Sequence, residues 1–193
     1  SKIEDKVEKI ILDNNLYRKI STKSFVSGNA RRLEDATGRY SEFLKSTLNK
    51  KITKRKLNIV LDCANGATYN IAPSLFWELG HNVISINNNP DGTNINKNCG
   101  AVNTKQLSKT VVKYKADIGF AFDGDGDRII VVDENGKEID GDKIIALFCK
   151  HFIKPKNKNN QHDVIITVMS NMGLEKFLSE KLNLKIKRTS VGD

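Results

Sequence analysis

The spacing of apolar residues predicts helices that alternate with strands along most of the chain. Two amphipathic helices are expected first, one beginning near Ile3 and one over residues 34–48, with an irregular polar stretch between them up to about residue 33. Three later apolar runs have the length and composition of buried strands: 57–63, 82–86 and 117–122. Strands separated by helices in this way are typical of an α/β domain with a largely parallel sheet.

The segments between these strands carry helix signals. The first has Pro73 in its opening turn and Gly80 as its stop. The second is expected to direct Leu107, Val111 and Tyr114 inward. The two segments complete an alternating pattern of strand, helix, strand, helix and strand.

The last third of the chain continues this pattern. The strand "RIIVVD" and the turn "ENGK" predict a hairpin that extends the sheet antiparallel, and a helix opened by Asp142 follows. The polar segment "KPKNKNNQHD" is a candidate domain boundary. A strand over 164–170, a helix, and the strand "LKIKRTSV" then begin a second α/β unit, in which two strands are too few for an independent domain.

Composition narrows the class of protein. The formal net charge is +9, but the lysines are scattered and no nucleic-acid-binding motif is found, so we expect no nucleic-acid partner. No apolar run approaches about 20 residues, so no transmembrane helix is expected. Three separated cysteines without a CxxC pair favour a reduced, cytoplasmic compartment.

The segment "FDGDGDR" carries the candidate chemistry. Asp123, Asp125 and Asp127 stand at the expected carboxyl end of a buried strand, where α/β sheets bind ligands. In an extended segment such alternating side chains point the same way, and the glycines between them let the backbone bend the carboxylates toward one point. Three hard oxygen ligands fit Mg²⁺, and the adjacent Arg128 fits a phosphate.

Three other interpretations of this segment remain open. A calcium loop of EF-hand type would place Glu134 at position 12, but Arg128 stands where that loop needs glycine. A nucleophile of haloacid-dehalogenase type would use Asp123 and Asp125, but Asp127 replaces the usual Thr or Val. An exposed acidic turn with Arg128 as its counter-ion would have no chemistry of its own.

Longer segments resemble a known family. "FDGDGDR" resembles the metal-binding loop of the α-D-phosphohexomutases. The bacterial phosphoglucosamine mutase family is similar in "EDATGRYSEFLKST", "IVLDCANGATYNIAP", "PDGTNINKNCG", "DGDKI", "TVMSNMGLE" and "VGD". The stretch Asn94–Asn96 with Cys99 and Gly100 favours this family, because phosphomannomutase/phosphoglucomutase relatives typically have a loop with proline and histidine there. The resemblance implies a three-layer α/β/α domain with a mixed, largely parallel sheet, flanked by incomplete α/β neighbours.

The resemblance also implies an activity. Members interconvert glucosamine 6-phosphate and glucosamine 1-phosphate in the bacterial cytoplasm, on the way to UDP-N-acetylglucosamine and peptidoglycan precursors. A phosphoserine gives its phosphoryl group to the phosphosugar, and glucosamine 1,6-bisphosphate is the intermediate. The alternatives are a phosphomannomutase/phosphoglucomutase relative and a non-catalytic remnant that binds Mg²⁺ or anions.

Site residues follow from the resemblance position by position. Asp123, Asp125 and Asp127 would bind Mg²⁺ together with a phosphoserine oxygen, and Arg128 would hold the phosphate. The start of a substrate-facing loop would be formed by Ser190, Gly192 and Asp193. No serine of the chain has the sequence context of the family's nucleophile, so no catalytic serine is expected here.

The resemblance further predicts how the chain is divided. Residues 1–36 would be the end of a first domain, 37–156 the complete second domain, and 157–193 the beginning of a third. The other parts of domains one and three, and the whole of domain four, are expected as partners outside this sequence. We therefore expect the chain alone to catalyse nothing.

Overall fold

The computed structural model describes residues 2–21, 28–30, 34–48, 55–153 and 163–191. The chain divides into two compact units, Ser1–Arg39 and Tyr40–Asp193. Most of the predicted candidate boundary after residue 153 lies outside the described residues. No helix in the described ranges has both the length and the apolar character needed to cross a bilayer.

The first helices are α1 (Lys2–Leu12), α2 (Asn14–Ser21) and α3 (Ala36–Ser46). Helices α1 and α3 confirm the two predicted amphipathic helices. The irregular stretch predicted between them is wrong for its first part, because α2 begins directly after Asp13. The Asp13 carboxylate accepts hydrogen bonds from the N–H groups of Asn15 and Leu16, which is the usual way for an aspartate to start a helix.

A five-stranded sheet forms the centre of the second unit. Its strands lie in the order β2-β1-β3-β4-β5; β1 is parallel to β2 and β3, whereas β4 is antiparallel to β3 and β5. This mixed sheet confirms both the predicted parallel strands and the predicted hairpin. In chain order the elements are β1 (Asn58–Asp62), α4 (Ile71–Glu78), β2 (Asn82–Ile86), α5 (Lys105–Tyr114), β3 (Ile118–Phe122), β4 (Ile129–Asp133), β5 (Glu138–Ile139) and α6 (Gly141–Phe152).

Both faces of the sheet are covered by apolar clusters. Val60 packs with Leu107 and Val111 of α5 on one face, whereas Ile59 packs with Ala72 of α4 on the other. Successive strand residues point to opposite faces, so a continuous apolar run is what a doubly covered strand requires. Full burial of each large side chain contributes roughly 1.5–3 kcal/mol. The predicted three-layer α/β/α arrangement is therefore confirmed.

Two predictions about individual helix residues are wrong. Tyr114 was expected to point inward but is 52% exposed, since α5 ends there and Lys115 turns the backbone into the left-handed region with φ 51°. The helix α6 begins at Gly141 rather than at Asp142. Its cap is Asp140, whose carboxylate accepts a hydrogen bond from the Asp142 N–H group.

A second, two-stranded sheet follows α6 in the chain. Its strands β6 (Asp163–Thr167) and β7 (Lys185–Thr189) are parallel. Between them α7 (Met172–Lys176) continues into a π-helical turn, Phe177–Lys181. The predicted strand, helix and strand are thus confirmed, and their apolar cluster around Leu178 also includes Cys149 of α6.

The loops after β1 and β3 meet at one edge of the five-stranded sheet, because parallel strands end on the same side. The Ala67 N–H group donates to the Gly124 carbonyl oxygen over 2.8 Å. A Cβ atom on Gly66 would lie 2.2 Å from that same oxygen. The two loops are therefore in direct backbone contact, and a side chain at residue 66 has no space.

We expect Gly66→Ala to lower the free energy of unfolding by about 1–3 kcal/mol, because the new methyl group forces the two loops apart. Gly141→Ala is the matched control, since a Cβ atom there meets nothing within 4 Å and Gly141 is the first residue of α6. The control should be neutral or stabilising. Urea unfolding followed by circular dichroism measures both variants, and equal stability of the two would contradict the close approach of these loops.

Candidate metal centre

The turn after β3 is organised by the Asp123 carboxylate. This residue is 2% exposed and is the first beyond the strand. Its Oδ1 accepts hydrogen bonds from the N–H groups of Gly126 and Arg128, each over 3.1 Å. Its Oδ2 accepts a hydrogen bond from Arg128 Nε over 2.8 Å. One buried side chain thus satisfies three donors and closes the turn.

The structure brings the other two predicted carboxylates to the same place. Ligand oxygens of Asp123, Asp125 and Asp127 all lie within 4.8 Å of one another, and Asp125 and Asp127 are exposed. Of the two expected causes of this convergence, the alternation of side chains in an extended segment is wrong, because the segment is a tight turn, whereas the expected bending at a glycine is found. The Gly126 N–H group donates to the Asp123 carbonyl oxygen over 3.2 Å, and Gly126 has a φ of 78°, a conformation that favours glycine.

The pKa values of Asp123 and Asp127 are shifted in opposite directions. Burial raises the pKa of the Asp123 carboxyl, but hydrogen bonds from the Arg128 amide, from Asp127 and from the Arg128 guanidinium outweigh burial and lower that pKa to about 2. The hydrogen bond shared with Asp123, followed by burial and the negative charges of Asp123 and Asp125, raises the pKa of Asp127. A cation among these oxygens would relieve that repulsion.

Arg128 connects the carboxylates to the surface. Its Nε lies 2.8 Å from Oδ2 of Asp123 and 3.5 Å from Oδ1 of Asp127. The pKa of its guanidinium is raised, mainly by the hydrogen bond to Asp123. The side chain is nevertheless 65% exposed, so it is accessible to an anion. The Nε atom of Arg128 is thus held by the carboxylates, while the exposed part of its side chain can contact an anion.

Two further loops enclose the turn. An added Cβ atom on Gly124 would lie 2.7 Å from Ile95 Cδ1 and 2.8 Å from Asn96 Nδ2, and one on Gly126 would lie 2.9 Å from Thr68 Cγ2. Ile95 and Asn96 belong to the long polar loop after β2, and Thr68 to the loop after β1. The Oγ1 of Thr68 and Oδ1 of Asn96 are buried without a hydrogen-bond partner in the described part of the chain.

Asp62, the last residue of β1, is a buried carboxylate that sequence reasoning missed. It is 0% exposed. Its Oδ1 accepts a hydrogen bond from the Ala64 N–H group over 3.0 Å, and its Oδ2 accepts one from Gly100 over 2.9 Å. The signal was a carboxylate inside the apolar run "IVLDC", where a charged side chain needs specific partners.

Other residues considered from the sequence lie elsewhere. Ser190 is exposed after β7, next to the second sheet and outside the carboxylate cluster. Gly192 and Asp193 lie outside the described residues. Glu134 follows the far end of β4, about 16 Å of strand away from Arg128 at ~3.3 Å per residue. The calcium loop that needs Glu134 as a ligand is therefore wrong.

Comparison with known proteins identifies the family. Residues 38–136 match the family model described as phosphoglucomutase/phosphomannomutase, alpha/beta/alpha domain II. Residues 140–193 match the model described as alpha/beta/alpha domain III of the same family.

Curated relatives are similar along nearly the whole chain. The phosphoglucosamine mutase of Nautilia profundicola is 45% identical over 190 residues, which cover 98% of this chain and 42% of that protein. That of Bartonella bacilliformis is 46% identical over 190 residues, with the same shares. The chain thus spans about 42% of the length of these relatives.

Solved structures share the fold. A phosphoglucomutase/phosphomannomutase family protein from Burkholderia thailandensis has 26% identity and a TM-score of 0.71, covering 92% of this chain and 38% of that one. An Aspergillus fumigatus N-acetylphosphoglucosamine mutase in complex with GlcNAc-6P and magnesium has 22% identity and a TM-score of 0.59, covering 86% of this chain and 35% of that one. The match of the domain II model to residues 38–136 shows that the chain belongs to the phosphoglucomutase/phosphomannomutase family.

Proposed function

We propose that this chain is the metal-binding part of a phosphoglucosamine mutase, an enzyme that interconverts glucosamine 6-phosphate and glucosamine 1-phosphate. The observation that carries the proposal is the cluster of three carboxylates within 4.8 Å directly after β3. Sequence identity of 45% to the Nautilia profundicola phosphoglucosamine mutase supports the choice of glucosamine phosphates over other sugar phosphates. A cytoplasmic location and a role in peptidoglycan precursor synthesis belong to the same proposal.

The donor set fits Mg²⁺. Asp123, Asp125 and Asp127 offer only carboxylate oxygens, which this hard cation prefers, and the exposure of the last two leaves room for further oxygen ligands. The Aspergillus fumigatus structure, which has the same fold, contains magnesium together with GlcNAc-6P. When bound, Mg²⁺ would supply Lewis-acid polarisation of a phosphoryl group.

Arg128 is proposed to hold the phosphate of the phosphosugar. Its contacts with Asp123 and Asp127 fix the guanidinium beside the metal ligands, while the exposed part of the side chain can donate to phosphate oxygens. Fixing the arginine in advance lowers the entropic cost of orienting the phosphoryl group for transfer. The phosphoryl donor is proposed to be a phosphoserine from another domain, with glucosamine 1,6-bisphosphate as the intermediate.

The division into domains remains part of this proposal. Residues 1–36 would end the first domain, 37–156 form the second, and 157–193 begin the third, whereas the match to the domain III model begins at residue 140. In that arrangement Ser190 would lie near the substrate, followed by Gly192 and Asp193.

We expect Asp125→Asn to weaken Mn²⁺ binding on the order of 10-fold or more, because it removes one carboxylate from the cluster. Mn²⁺ replaces Mg²⁺ as the probe, since electron paramagnetic resonance counts the free ion directly. Glu134→Gln is the matched control, because it removes one negative charge from a residue outside the cluster. Unchanged affinity in Asp125→Asn, or an equal loss in Glu134→Gln, would contradict the assignment of the metal ligands.

We expect the protein that carries this chain to isomerise glucosamine 6-phosphate, and to lose this activity when EDTA removes divalent metal. An antibody raised against the chain would isolate the protein from its source cells for a coupled assay of glucosamine 1-phosphate. We expect kcat/KM to be higher for glucosamine 6-phosphate than for glucose 6-phosphate or mannose 6-phosphate. Faster turnover of mannose 6-phosphate would favour the phosphomannomutase alternative, and no turnover of any of the three would favour the non-catalytic remnant.

A further inference from the structure

We propose that Asp62 is a positioning residue for the metal centre, which it holds in shape without touching the metal. The inference rests on the proposed metal function of the turn after β3 that carries Asp123, Asp125 and Asp127, which we call the aspartate turn. Asp62 would hold the loops after β1 and β2 against this turn through its hydrogen bonds to the Ala64 and Gly100 N–H groups. The carboxylate cluster would then keep its geometry only while these two hydrogen bonds are intact.

Burying the Asp62 carboxylate is energetically unfavourable unless it is hydrogen-bonded. Its carboxylate is completely inaccessible, and its partners in the described ranges are two backbone N–H groups rather than a cation. A buried carboxylate is tolerated only when hydrogen bonds replace its hydration. The Ala64 bond spans two residues, whereas the Gly100 bond spans 38 residues and ties two separate loops together.

The Gly100 bond leads directly to the aspartate turn. Gly100 has a φ of 67°, and a Cβ atom there would lie 2.5 Å from the Phe122 carbonyl oxygen and 2.5 Å from the Ala64 Cβ atom. Phe122 is the last residue of β3 and immediately precedes Asp123. Asp62 therefore fixes a glycine that supports the backbone from which Asp123 begins.

The Ala64 bond leads to the same turn by a second route. Ala64 has a φ of 53°, in the left-handed region that residues with a side chain disfavour, and it is buried. Its carbonyl oxygen accepts a hydrogen bond from the Asn96 N–H group over 2.9 Å. The Asn96 side chain in turn packs against Gly124, between the first two aspartates. Each oxygen of Asp62 is thus connected to the aspartate turn by a chain of direct contacts, one through Gly100 and one through Ala64 and Asn96.

The test compares Asp62→Asn with Asp133→Asn in the full chain. An asparagine at residue 62 keeps one oxygen but presents an N–H donor to a backbone N–H group, so one of the two bonds is lost. Asp133→Asn controls for the loss of a carboxylate charge at a strand end, because Asp133 also ends a strand and accepts both of its backbone hydrogen bonds, from Asn135 and Lys137, on the single atom Oδ1, which an asparagine can replace. Its turn lies at the opposite end of β4 from the aspartate turn.

We expect Asp62→Asn to weaken Mn²⁺ binding by about 10-fold in chains that circular dichroism shows to be folded. Asp133→Asn should bind Mn²⁺ with the affinity of the unchanged chain. A merely structural role of Asp62 would lower the urea midpoint and leave the Mn²⁺ affinity of the folded chain unchanged, and this result would overturn the inference. If Asp125→Asn also fails to weaken binding, the proposed metal function fails; if only Asp62→Asn fails, the positioning role alone is wrong.

A measurement on the unchanged chain covers the case in which Asp62→Asn does not fold. Titration with Mg²⁺, followed by the backbone amide signals in nuclear magnetic resonance, should shift Gly100 as well as Gly124 and Gly126. Gly100 is not a metal ligand, so its shift would report the contact through Phe122 and the bond to Asp62. Movement of Gly124 and Gly126 without any movement of Gly100 would overturn the inference.

Discussion

Three hydrogen bonds to the Asp123 carboxylate determine the shape of the turn on which the candidate site depends. Two come from backbone N–H groups and one from Arg128, so a single buried side chain fixes both the turn and the neighbouring guanidinium. A buried carboxylate without such donors would be strongly unfavourable, so the burial of Asp123 depends on these hydrogen bonds. The exposed carboxylates of Asp125 and Asp127 then follow from the path of the backbone, and Asp127 is also held by its contacts with Asp123 and Arg128.

Glycines make this arrangement compatible with a crowded sheet edge. The loops after β1, β2 and β3 begin at the same edge, and at Gly66 and Gly100 they approach one another's backbone more closely than a side chain permits. Close backbone packing leaves the aspartate turn little freedom to spread its charges. The pKa of Asp127 is raised, first by the hydrogen bond shared with Asp123 and then also by burial and by the negative charges of Asp123 and Asp125. The proposed Mg²⁺ would balance charges that the backbone prevents from separating.

Much of the fold could be predicted from the sequence, because strands buried on both faces leave continuous apolar runs and the helices between them keep their own period. The position of the carboxylate cluster followed from the same pattern, since it stands at a strand end. Features decided by a single local hydrogen bond could not be predicted in this way, such as the helix that restarts after Asp13. Asp62 was missed for a different reason: its partner Gly100 is 38 residues away, and periodicity carries no information about such contacts. The tight turn at Gly126 also depends on a bond made by Asp123, not on the alternation of residues that drew attention to it.

The most direct test of this account is the position of a divalent cation in crystals of the chain grown with Mn²⁺. Anomalous diffraction would locate the ion independently of any assumption about its ligands. We predict one peak within about 2.0–2.3 Å of carboxylate oxygens from Asp123, Asp125 and Asp127, close to the distances that Mg²⁺ takes to oxygen. A peak at another group of acidic residues, or no peak at the turn at saturating Mn²⁺, would contradict the claim that Asp123, Asp125 and Asp127 form a metal site.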